Sequence, residues 1–369
     1  MDRSFILFIF CAAFMLFARP AHAEHVSFRD DQPPPSFEAD YLVTEEEPSS
    51  AVFTITLAGD CTLGSTESSG KKSGSLPDTV EKKGLAYPFS GLMPLFSKDD
   101  LTLVNLEGVL SDSSQGENTD KEFAFRGPAD YAKMLPLGSV EAVNLSNNHF
   151  DDYGKAGRDL TIAALEEQGV AYAGNEWLCV YRFDRVKIGL AGIRGSLTEA
   201  KKEIITRQIA LLKEAGCQII LYSLHSGQEY AQKHNGIQRD MARFLIDAGA
   251  DVVAGHHPHV AQGMEIYRNR LIFYSLGNCV FGGNQDPREP DALAARIMFS
   301  LEGGKLTGLQ TALYPIRFTG SKNSNTFCPD LLTGKQAEAL LKKVQQDTAF
   351  SLPAYEEKSG ALLPKIPAE

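Results

Sequence analysis

The histidines of this 369-residue chain fall largely in three short segments that could bind a metal ion or move protons. The densest segment is ADVVAGHHPHVAQG at residues 250–263, where an apolar run ends at Gly255 and His256, His257 and His259 follow. Each imidazole ring has two nitrogens that need a hydrogen-bond partner or a metal. Three such rings at one strand end predict a metal or acid–base site more readily than a simple polar turn.

Five chain-distant segments share this pattern of polar residues placed directly after a predicted strand. The candidate ligands and acid–base groups in them are Asp60, Asn105 with Glu107, Asn148 with His149, His225, and His257 with His259. In an α/β protein, strand ends that are distant along the chain meet at one edge of a sheet. Mixed oxygen and nitrogen ligands suit Mn, Fe, Zn or Mg better than an all-sulfur zinc site does. We therefore expect a divalent metal at this edge.

Alternating strands and helices are expected to position these segments. Strands are predicted at 52–58, 101–104, 141–145, 218–224 and 251–254. Helices are predicted at 155–168, 197–215 and 237–248. This order favours an α/β fold with its site along one sheet edge. Later hairpins indicate mixed sheets, and the polar stretch at 65–84 predicts a surface loop.

Composition and charge exclude several classes of protein. With 43% apolar and 22% charged residues, the chain has the composition of an ordinary globular protein. The formal net charge is −11 and no dense run of Lys and Arg occurs, so a nucleic acid is not an expected partner. The cysteines are few and widely spaced, which is not typical of a disulfide framework.

Residues 1–23 have the features of a secretory signal peptide. A positively charged start precedes a continuous apolar run over residues 5–18, and an Ala-His-Ala cleavage site precedes Glu24. The run is shorter than the roughly 20 residues that a membrane span needs. We expect the mature protein to begin near Glu24 and to be extracytoplasmic, either periplasmic or secreted.

Three further segments complete the predicted domain organisation. Residues 24–50 are acidic and proline-rich, which predicts a linker. Residues 51–320 are expected to form a single domain around one core, because no internal repeat interrupts them. Residues 321–369 are predicted to form a C-terminal helix and a tail.

The ordered set of motifs resembles the CapA (PgsA-like) poly-γ-glutamate capsule synthesis family over about residues 52–318. The motifs that carry the resemblance are Gly59-Asp60, Asn105-Leu106-Glu107-Gly108, Asn147-Asn148-His149 followed by Asp152-Tyr153-Gly154, His225-Ser226-Gly227-Gln228-Glu229-Tyr230, Gly255-His256-His257-Pro258-His259-Val260 and Tyr274-Ser275-Leu276-Gly277-Asn278. That family belongs to the calcineurin-like metallophosphoesterase superfamily. The resemblance implies a four-layer α/β/β/α sandwich with two central mixed sheets.

The resemblance also implies two groups of metal ligands. Asn148, His225 and His257 match the ligands of the second metal of the superfamily. Asp60 and His259 match ligands of the first metal. We expect one or two divalent ions, because the set of ligands departs from the superfamily pattern.

The departures affect the first motif and the bridging ligand. The superfamily has Asp-x-His in its first motif, whereas this chain has Asp60-Cys61-Thr62 and lacks that histidine. Glu107 or Asn105 lies where the bridging carboxylate belongs.

The resemblance implies catalytic candidates as well. His149 matches the histidine that assists the leaving group. Asp152 and Glu229, in the same motifs, are further candidates for catalytic residues.

Three functions remain open at this point. The first is a metal-dependent, phosphoesterase-like hydrolase or transferase that acts on an anionic polymer or phosphorylated substrate during capsule or poly-γ-glutamate synthesis. The second is a non-catalytic accessory subunit, with membrane components of a polymer synthase as partners. The third is metal-free acid–base chemistry that uses His149.

Overall fold

The computed structural model describes residues 22–27, 50–322 and 324–368. Most of the predicted signal peptide (1–21 of 1–23) lies outside the described residues, and so do residues 28–49 of the predicted linker. No helix within the described ranges is long and apolar enough to span a bilayer.

Strands and helices alternate through most of the described chain. The strands, in chain order, are β1 (His22–Ser27), β2 (Ser50–Thr62), β3 (Leu101–Leu106), β4 (Val109–Leu110), β5 (Arg126–Gly127), β6 (Ala142–Asn144), β7 (Ala171–Ala173), β8 (Trp177–Phe183), β9 (Val186–Arg194), β10 (Ile219–His225), β11 (Val252–His256), β12 (Met264–Tyr267), β13 (Arg270–Phe273), β14 (Asn278–Phe281), β15 (Asp291–Glu302), β16 (Lys305–Arg317), β17 (Asp330–Leu331), β18 (Ala361–Leu362) and β19 (Ile366–Pro367). The α-helices are α1 (Glu67–Gly70), α2 (Leu76–Lys83), α3 (Met93–Phe96), α4 (Met134–Leu137), α5 (Gly154–Glu167), α6 (Glu199–Glu214), α7 (Gly236–Ala248) and α8 (Gly334–Gln345).

Two mixed sheets form the centre of the molecule. The first sheet has the order β1-β8-β9-β10-β11-β13-β12, with β9, β10, β11 and β13 parallel. The second has the order β17-β16-β15-β2-β3-β6-β7, and β14 pairs with β2. Its strands β14, β2, β3, β6 and β7 are parallel, so their carboxyl ends lie at the same edge.

Apolar side chains form three core layers between four layers of backbone. Ile55 of β2 and Leu190 of β9 belong to the core between the two sheets. Ile209 of α6 and Leu245 of α7 pack on the outer face of the first sheet. Leu165 of α5 packs with the short helices on the outer face of the second sheet. Because both sheets are covered outside and face each other inside, the expected α/β/β/α sandwich is confirmed.

The register of each sheet aligns polar residues at its carboxyl edge. Across β14, β2, β3 and β6 the aligned residues are Asn278, Asp60, Asn105 and Asn144. Across β9, β10 and β11 they are Arg194, His225 and His256. The prediction of one sheet edge is therefore wrong in one respect, since two facing sheets each contribute an edge. Strand order within a sheet depends on long-range pairing that no local pattern encodes.

Strand β1 covers the last two residues of the predicted signal peptide and the first four residues of the predicted linker. It pairs antiparallel with residues 177–182 of β8. The ring of His25 stacks on Tyr172 with 3.9 Å between centroids, and its Nε2 accepts a hydrogen bond of 3.0 Å from the Tyr172 N–H. The linker prediction is thus wrong for residues 24–27. The open edge of β8 supplies backbone partners that composition cannot reveal.

Within residues 65–84, helices α1 and α2 replace most of the predicted surface loop, and an exposed turn at 71–74 joins them. Thr66 Oγ1 accepts a hydrogen bond of 3.1 Å from Ser69 N at the start of α1. Ser75 caps α2 in the same way, and Leu76 and Val80 are buried beneath it. Two apolar residues are too few to give a helical period in the sequence, so capping and tertiary contact decide this segment.

Acidification is expected to loosen β1. Burial lowers the pKa of His25 to about 4, whereas an imidazole in the unfolded chain titrates near 6.5. The docked strand therefore keeps its full stability above pH 6.5 and loses it progressively as the pH falls towards 4. We expect the hydrogen-exchange protection factors of residues 24–27 to fall about tenfold between pH 7 and pH 5, a value reduced for the exposed part of the ring.

The control is His25→Phe, which keeps an aromatic ring on Tyr172 but cannot titrate. Its protection factors should be lower at every pH, because the bond from the Tyr172 N–H is lost. They should not change between pH 7 and pH 5. Wild-type protection that is equally constant over this range would contradict the prediction.

Candidate metal centre

Asp60 is fixed at the end of β2 by its backbone and by its carboxylate. A Cβ atom on the preceding Gly59 would lie 1.9 Å from the Gly277 carbonyl oxygen, so only glycine permits the close approach of these segments. There the Asp60 N–H donates to Gly277 O at 2.9 Å. Asp60 Oδ1 accepts from Asn105 Nδ2 at 2.8 Å, and Oδ2 accepts from the His257 N–H at 3.2 Å. The carboxylate is therefore held in one orientation.

Two imidazole rings lie against the same carboxylate. Nδ1 of His256 is 3.2 Å from Asp60 Oδ1, and Nδ1 of His259 is 3.2 Å from Oδ2. Burial alone would raise the pKa of Asp60, but the two rings outweigh burial and hold this pKa well below its usual range. Asp60 is therefore ionised in the folded protein and attracts positive charge.

Glu107, just beyond β3, is a buried carboxylate without a hydrogen-bond partner. Its side chain is 1% exposed, and neither oxygen has a hydrogen-bond partner in the described part of the chain. Oε1 lies 3.7 Å from His225 Nε2, and 4.0 Å from Nε2 of both His149 and His259. Burial raises the pKa of Glu107 to about 8, although His259 opposes the shift. A buried carboxylate surrounded by three imidazole rings is unfavourable alone and suits a cation.

His259 shows how strongly this cluster attracts positive charge. Burial acts to lower its pKa, but the charges of Glu107 and Asp60 outweigh burial and raise this pKa to about 10. Asn278 Oδ1, 2.9 Å from His259 Nδ1, also favours the protonated ring. A cation that binds here would therefore compete with a proton.

Two overlapping groups of side chains could hold a divalent ion. In the first group, ligand atoms of Asp60, Glu107 and His225 all lie within 4.8 Å of one another. The second group is Glu107, His257 and His259, within the same distance. Glu107 belongs to both, which is the position of a bridging ligand. Carboxylate oxygens and imidazole nitrogens at this spacing fit one or two divalent ions.

Asn148, His225 and His257 meet beside Glu107. Asn148 Oδ1 is 2.6 Å from His225 Nε2, and the His225 and His257 rings are 4.7 Å apart. Burial lowers the pKa of both histidines, so their rings are neutral. Neutral imidazole is the form that binds a metal. The structure thus brings together the three residues that the family resemblance assigned to a second metal.

The loop after β11 has an unusual backbone. His257 has φ of 97° and His259 has φ of 57°, although neither is glycine. Each such conformation costs on the order of 1–3 kcal/mol and persists only where the surroundings enforce it. The contacts of this loop with Asp60 and Asn278 supply that constraint and direct both rings towards Glu107.

Asn105 and Glu107 have different roles in the structure, although the sequence left the choice between them open. Asn105 Oδ1 already accepts hydrogen bonds from Asn144 Nδ2 at 2.7 Å and from Asn147 Nδ2 at 3.2 Å. Its Nδ2 donates to Asp60. Asn105 therefore positions Asp60, and Glu107 is the residue with free oxygens.

His149 and Asp152 form a hydrogen-bonded pair at the side of the cluster. His149 Nδ1 lies 2.7 Å from Asp152 Oδ2. Asp152 also accepts from the Phe125 N–H at 2.7 Å and from Lys121 Nζ at 2.5 Å. An acceptor at Nδ1 fixes the tautomer, so that Nε2 is turned towards Glu107, 4.0 Å away. The Phe125 ring, 4.6 Å from the imidazole, covers the pair.

Glu229, the other predicted catalytic carboxylate, is not part of the cluster. It is exposed, and no hydrogen bond or ion pair joins it to the cluster among the described residues. Its charge still contributes to the raised pKa of Glu107. Glu229 therefore lies at the rim, where it affects the electrostatics of the site without a direct contact.

Several residues of the site were not predicted from the sequence. They are Asn278, Asn144, Lys121, Phe125 and Arg194, whereas His256 belongs to the predicted histidine segment and contacts Asp60. The sequence contained a signal for Asn144, because an amide inside a buried strand needs a polar partner. It contained no signal for Lys121 or Phe125, since these residues follow a polar loop and not a strand. Thr62 stands where the superfamily has a histidine, and its Oγ1 is buried without a hydrogen-bond partner in the described chain.

Comparison with known proteins places the chain among capsule synthesis proteins. The model of a family described as bacterial capsule synthesis protein PGA_cap matches residues 54–177 and 182–283, which is more than half of the chain. The motifs that surround Glu107 and His149, and the histidine loop after β11, all lie within the matched residues.

Three named relatives are similar over a large part of this chain. "Capsule biosynthesis protein CapA" of Bacillus anthracis is 27% identical over 254 residues, which cover 62% of this chain and 60% of that protein. "PGA biosynthesis protein CapA" of Bacillus subtilis is 31% identical over 223 residues, covering 55% and 58%. A "probable polyglutamine synthesis accessory protein" of Mycobacterium tuberculosis is 27% identical over 255 residues, covering 59% and 66%. The matched region thus spans about three-fifths of the length of these relatives.

Proposed function

The chain belongs to the bacterial capsule synthesis protein PGA_cap family, and from that premise we propose that it acts in capsule or poly-γ-glutamate biosynthesis through a metal-dependent, phosphoesterase-like site. The observation that carries the catalytic part is Glu107, a buried carboxylate that has no hydrogen-bond partner in the described chain and lies among three imidazole rings. A buried carboxylate of this kind is costly unless a cation compensates its charge, which supports a bound metal.

The place of action that we propose is outside the cytoplasm. The apolar run and the Ala-His-Ala site before Glu24 support this part of the proposal. The partners would be membrane components of a polymer synthase. The relatives named for capsule and PGA biosynthesis support that association.

The metal would be held by residues from both sheets. They are Asp60, Glu107, Asn148, His225, His257 and His259. When bound, a divalent ion there would act as a Lewis acid on an oxygen of a phosphoryl or acyl substrate.

His149 would supply the proton transfer. Its Nδ1 is hydrogen-bonded to Asp152, so a proton held at Nε2 faces the cluster and can pass to the oxygen of a leaving group. Asp152 stabilises the protonated ring and is itself held by Lys121 and the Phe125 N–H. The pair is thus oriented before any substrate arrives.

A non-catalytic accessory role is the second candidate. Thr62 favours it, because it offers no imidazole where the superfamily has a ligand. The name of the mycobacterial relative, an accessory protein, favours it as well. In this role the cluster would serve to bind polymer or a partner without turnover.

Elemental analysis of the purified protein tests the metal. We expect at least one equivalent of a divalent transition ion in the wild type and its loss in His257→Ala, which removes a ligand of the second group. The matched control is His234→Ala, because His234 pairs with Asp347 at 3.0 Å and lies outside the cluster. Metal content that is equal in His257→Ala and wild type would contradict this assignment of the site.

Turnover separates the two candidate functions. A phosphodiester and a γ-glutamyl polymer, each with added Mn²⁺, are the substrates to assay. The enzyme function is supported if wild type and His234→Ala cleave one of these substrates and His257→Ala does not. A metal-loaded protein that cleaves neither, and whose His149→Ala variant still supports polymer assembly in cells, supports the accessory role.

A further inference from the structure

A groove of about 410 Å³ opens beside the candidate metal ligands. Its lining includes the candidate ligands Asn148, His225 and His257 together with Arg194, Lys201 and Ile237. We refer to this space as the cationic groove. Any substrate that reaches the cluster from this side must pass along these residues.

Arg194 and Lys201 line the cationic groove, and none of its lining residues within the described chain is an aspartate or glutamate. Lys201 Nζ donates to the carbonyl oxygens of Arg194 at 2.6 Å and Ser196 at 3.1 Å. In the part of the chain that the structure describes, no carboxylate pairs with this ammonium. The chain as a whole has 47 acidic and 36 basic residues, so a groove whose charged lining residues are an arginine and a lysine departs from the overall charge balance.

Arg194 is held next to the cluster by its place in the first sheet. It pairs in register with His225 at the end of β9. Nη1 donates to the Asn147 carbonyl oxygen at 3.1 Å, and Nη2 lies 3.3 Å from Asp151 Oδ2. Arg158 pairs with the same carboxylate at 3.2 Å. Two guanidinium groups therefore share one carboxylate, which leaves net positive charge at Arg194.

Apolar surface lies beside these charges. Ile237, in the first turn of α7, is 53% exposed on the wall of the cationic groove. A ligand that joins an anionic group to a short aliphatic segment would match both features. Lys and Arg bind carboxylate and phosphate groups through charge-assisted hydrogen bonds, which are stronger than neutral ones.

We propose that Arg194 and Lys201 bind an anionic group of the substrate, a carboxylate or a phosphate, while its neighbouring bond lies at the metal cluster. This inference rests on the proposed function and names the residues that would hold an anionic group of its substrate. An oligomer of γ-linked glutamate, which carries a carboxylate on every residue, is the first probe.

Calorimetric titration with a γ-linked glutamate tetramer tests the proposal. We expect Lys201→Met to weaken binding about tenfold, the loss that one charge-assisted hydrogen bond produces. Lys202→Met is the matched control, because Lys202 lies on the same helix and pairs with Glu199 at 2.8 Å. It should bind like the wild type. A tetramer with neutral amides in place of its carboxylates should bind weakly to all three proteins.

Two further measurements make the result specific. Lys201→Arg keeps the charge and should restore most of the affinity, which separates loss of charge from misfolding. Inorganic phosphate is titrated into the same proteins. Binding of phosphate that also depends on Lys201 would identify phosphate as the preferred anion, and binding of the tetramer alone would identify carboxylate.

The proposal is overturned if wild type and Lys201→Met bind the tetramer and phosphate equally, or if the charged and neutral tetramers bind equally. It is also overturned if the wild type binds neither probe. Metal content and turnover are measured on the same samples. Lys201-dependent binding in a protein without turnover would remove the enzyme function and retain the anion subsite, so the two failures are distinguishable.

Discussion

Replacing His149 with alanine is expected to lower turnover by about 10²–10⁴-fold, the usual contribution of a positioned acid–base group. The metal content should not change, because His149 belongs to neither group of candidate ligands. Steady-state kinetics and elemental analysis of one preparation measure both quantities. The effect should appear in kcat more than in KM, since the ring acts on the leaving group.

Asp152→Asn provides an internal comparison for His149→Ala. The amide would still fill the buried space but would no longer stabilise a protonated imidazole, so turnover should fall less than in His149→Ala. Unchanged turnover in His149→Ala would remove this residue from the mechanism. Loss of the ion in that variant would instead make His149 a ligand.

Glu107→Gln is expected to abolish the stabilisation of the fold by divalent metal. At a free ion concentration of 100 times Kd, one site adds about 2.7 kcal/mol to the free energy of unfolding. The variant should gain almost none of this, because Glu107 contributes to both candidate groups. Denaturant unfolding with and without Mn²⁺ measures the difference. Glu199→Gln is the control, since Glu199 is an exposed carboxylate that pairs with Lys202 and belongs to neither candidate group, and it should respond to metal like the wild type.

In the metal-free protein, Glu107→Gln should raise the free energy of unfolding. Burial raises the pKa of Glu107 to about 8, against an ordinary value of 4.5. A carboxyl with a raised pKa costs stability as the pH rises from 4.5 to 8, because the unfolded chain ionises first. Glu107→Gln lacks this loss, so at pH 8 it should be more stable than metal-free wild type by on the order of 4 kcal/mol. A variant that is less stable with and without metal would show that Glu107 has a structural role only.

The chemistry-bearing positions were predictable because the sequence places polar residues after apolar runs. His225 and the histidine loop after β11 follow buried strands in the sequence and in the fold. The periodicity of α6 and α7 likewise predicted the helices between these strands. In each case a local pattern, with a period of a few residues, determined the element.

Other features had no local signal. The position of β1 depends on the open edge of β8 and on the ring of Tyr172. The helices at 65–84 depend on caps and on two buried side chains. Lys121 donates a hydrogen bond to Asp152 from a loop. Because it does not follow a strand, no sequence pattern indicated its place in the site.

The sequence by itself determined which residue types are available, their order along the chain, and the alternation of strands and helices that brings them to strand ends. Only the tertiary structure decided that two facing sheets share the site, that Glu107 and not Asn105 keeps its oxygens free, and that Arg194 lies beside His225. The physical reason is that hydrogen-bond partners, burial and charge at the site come from residues up to about two hundred positions apart, such as Asp60 and His257. Local propensity determines the helices and strands, whereas these long-range contacts determine the hydrogen bonding and charge of each side chain at the site.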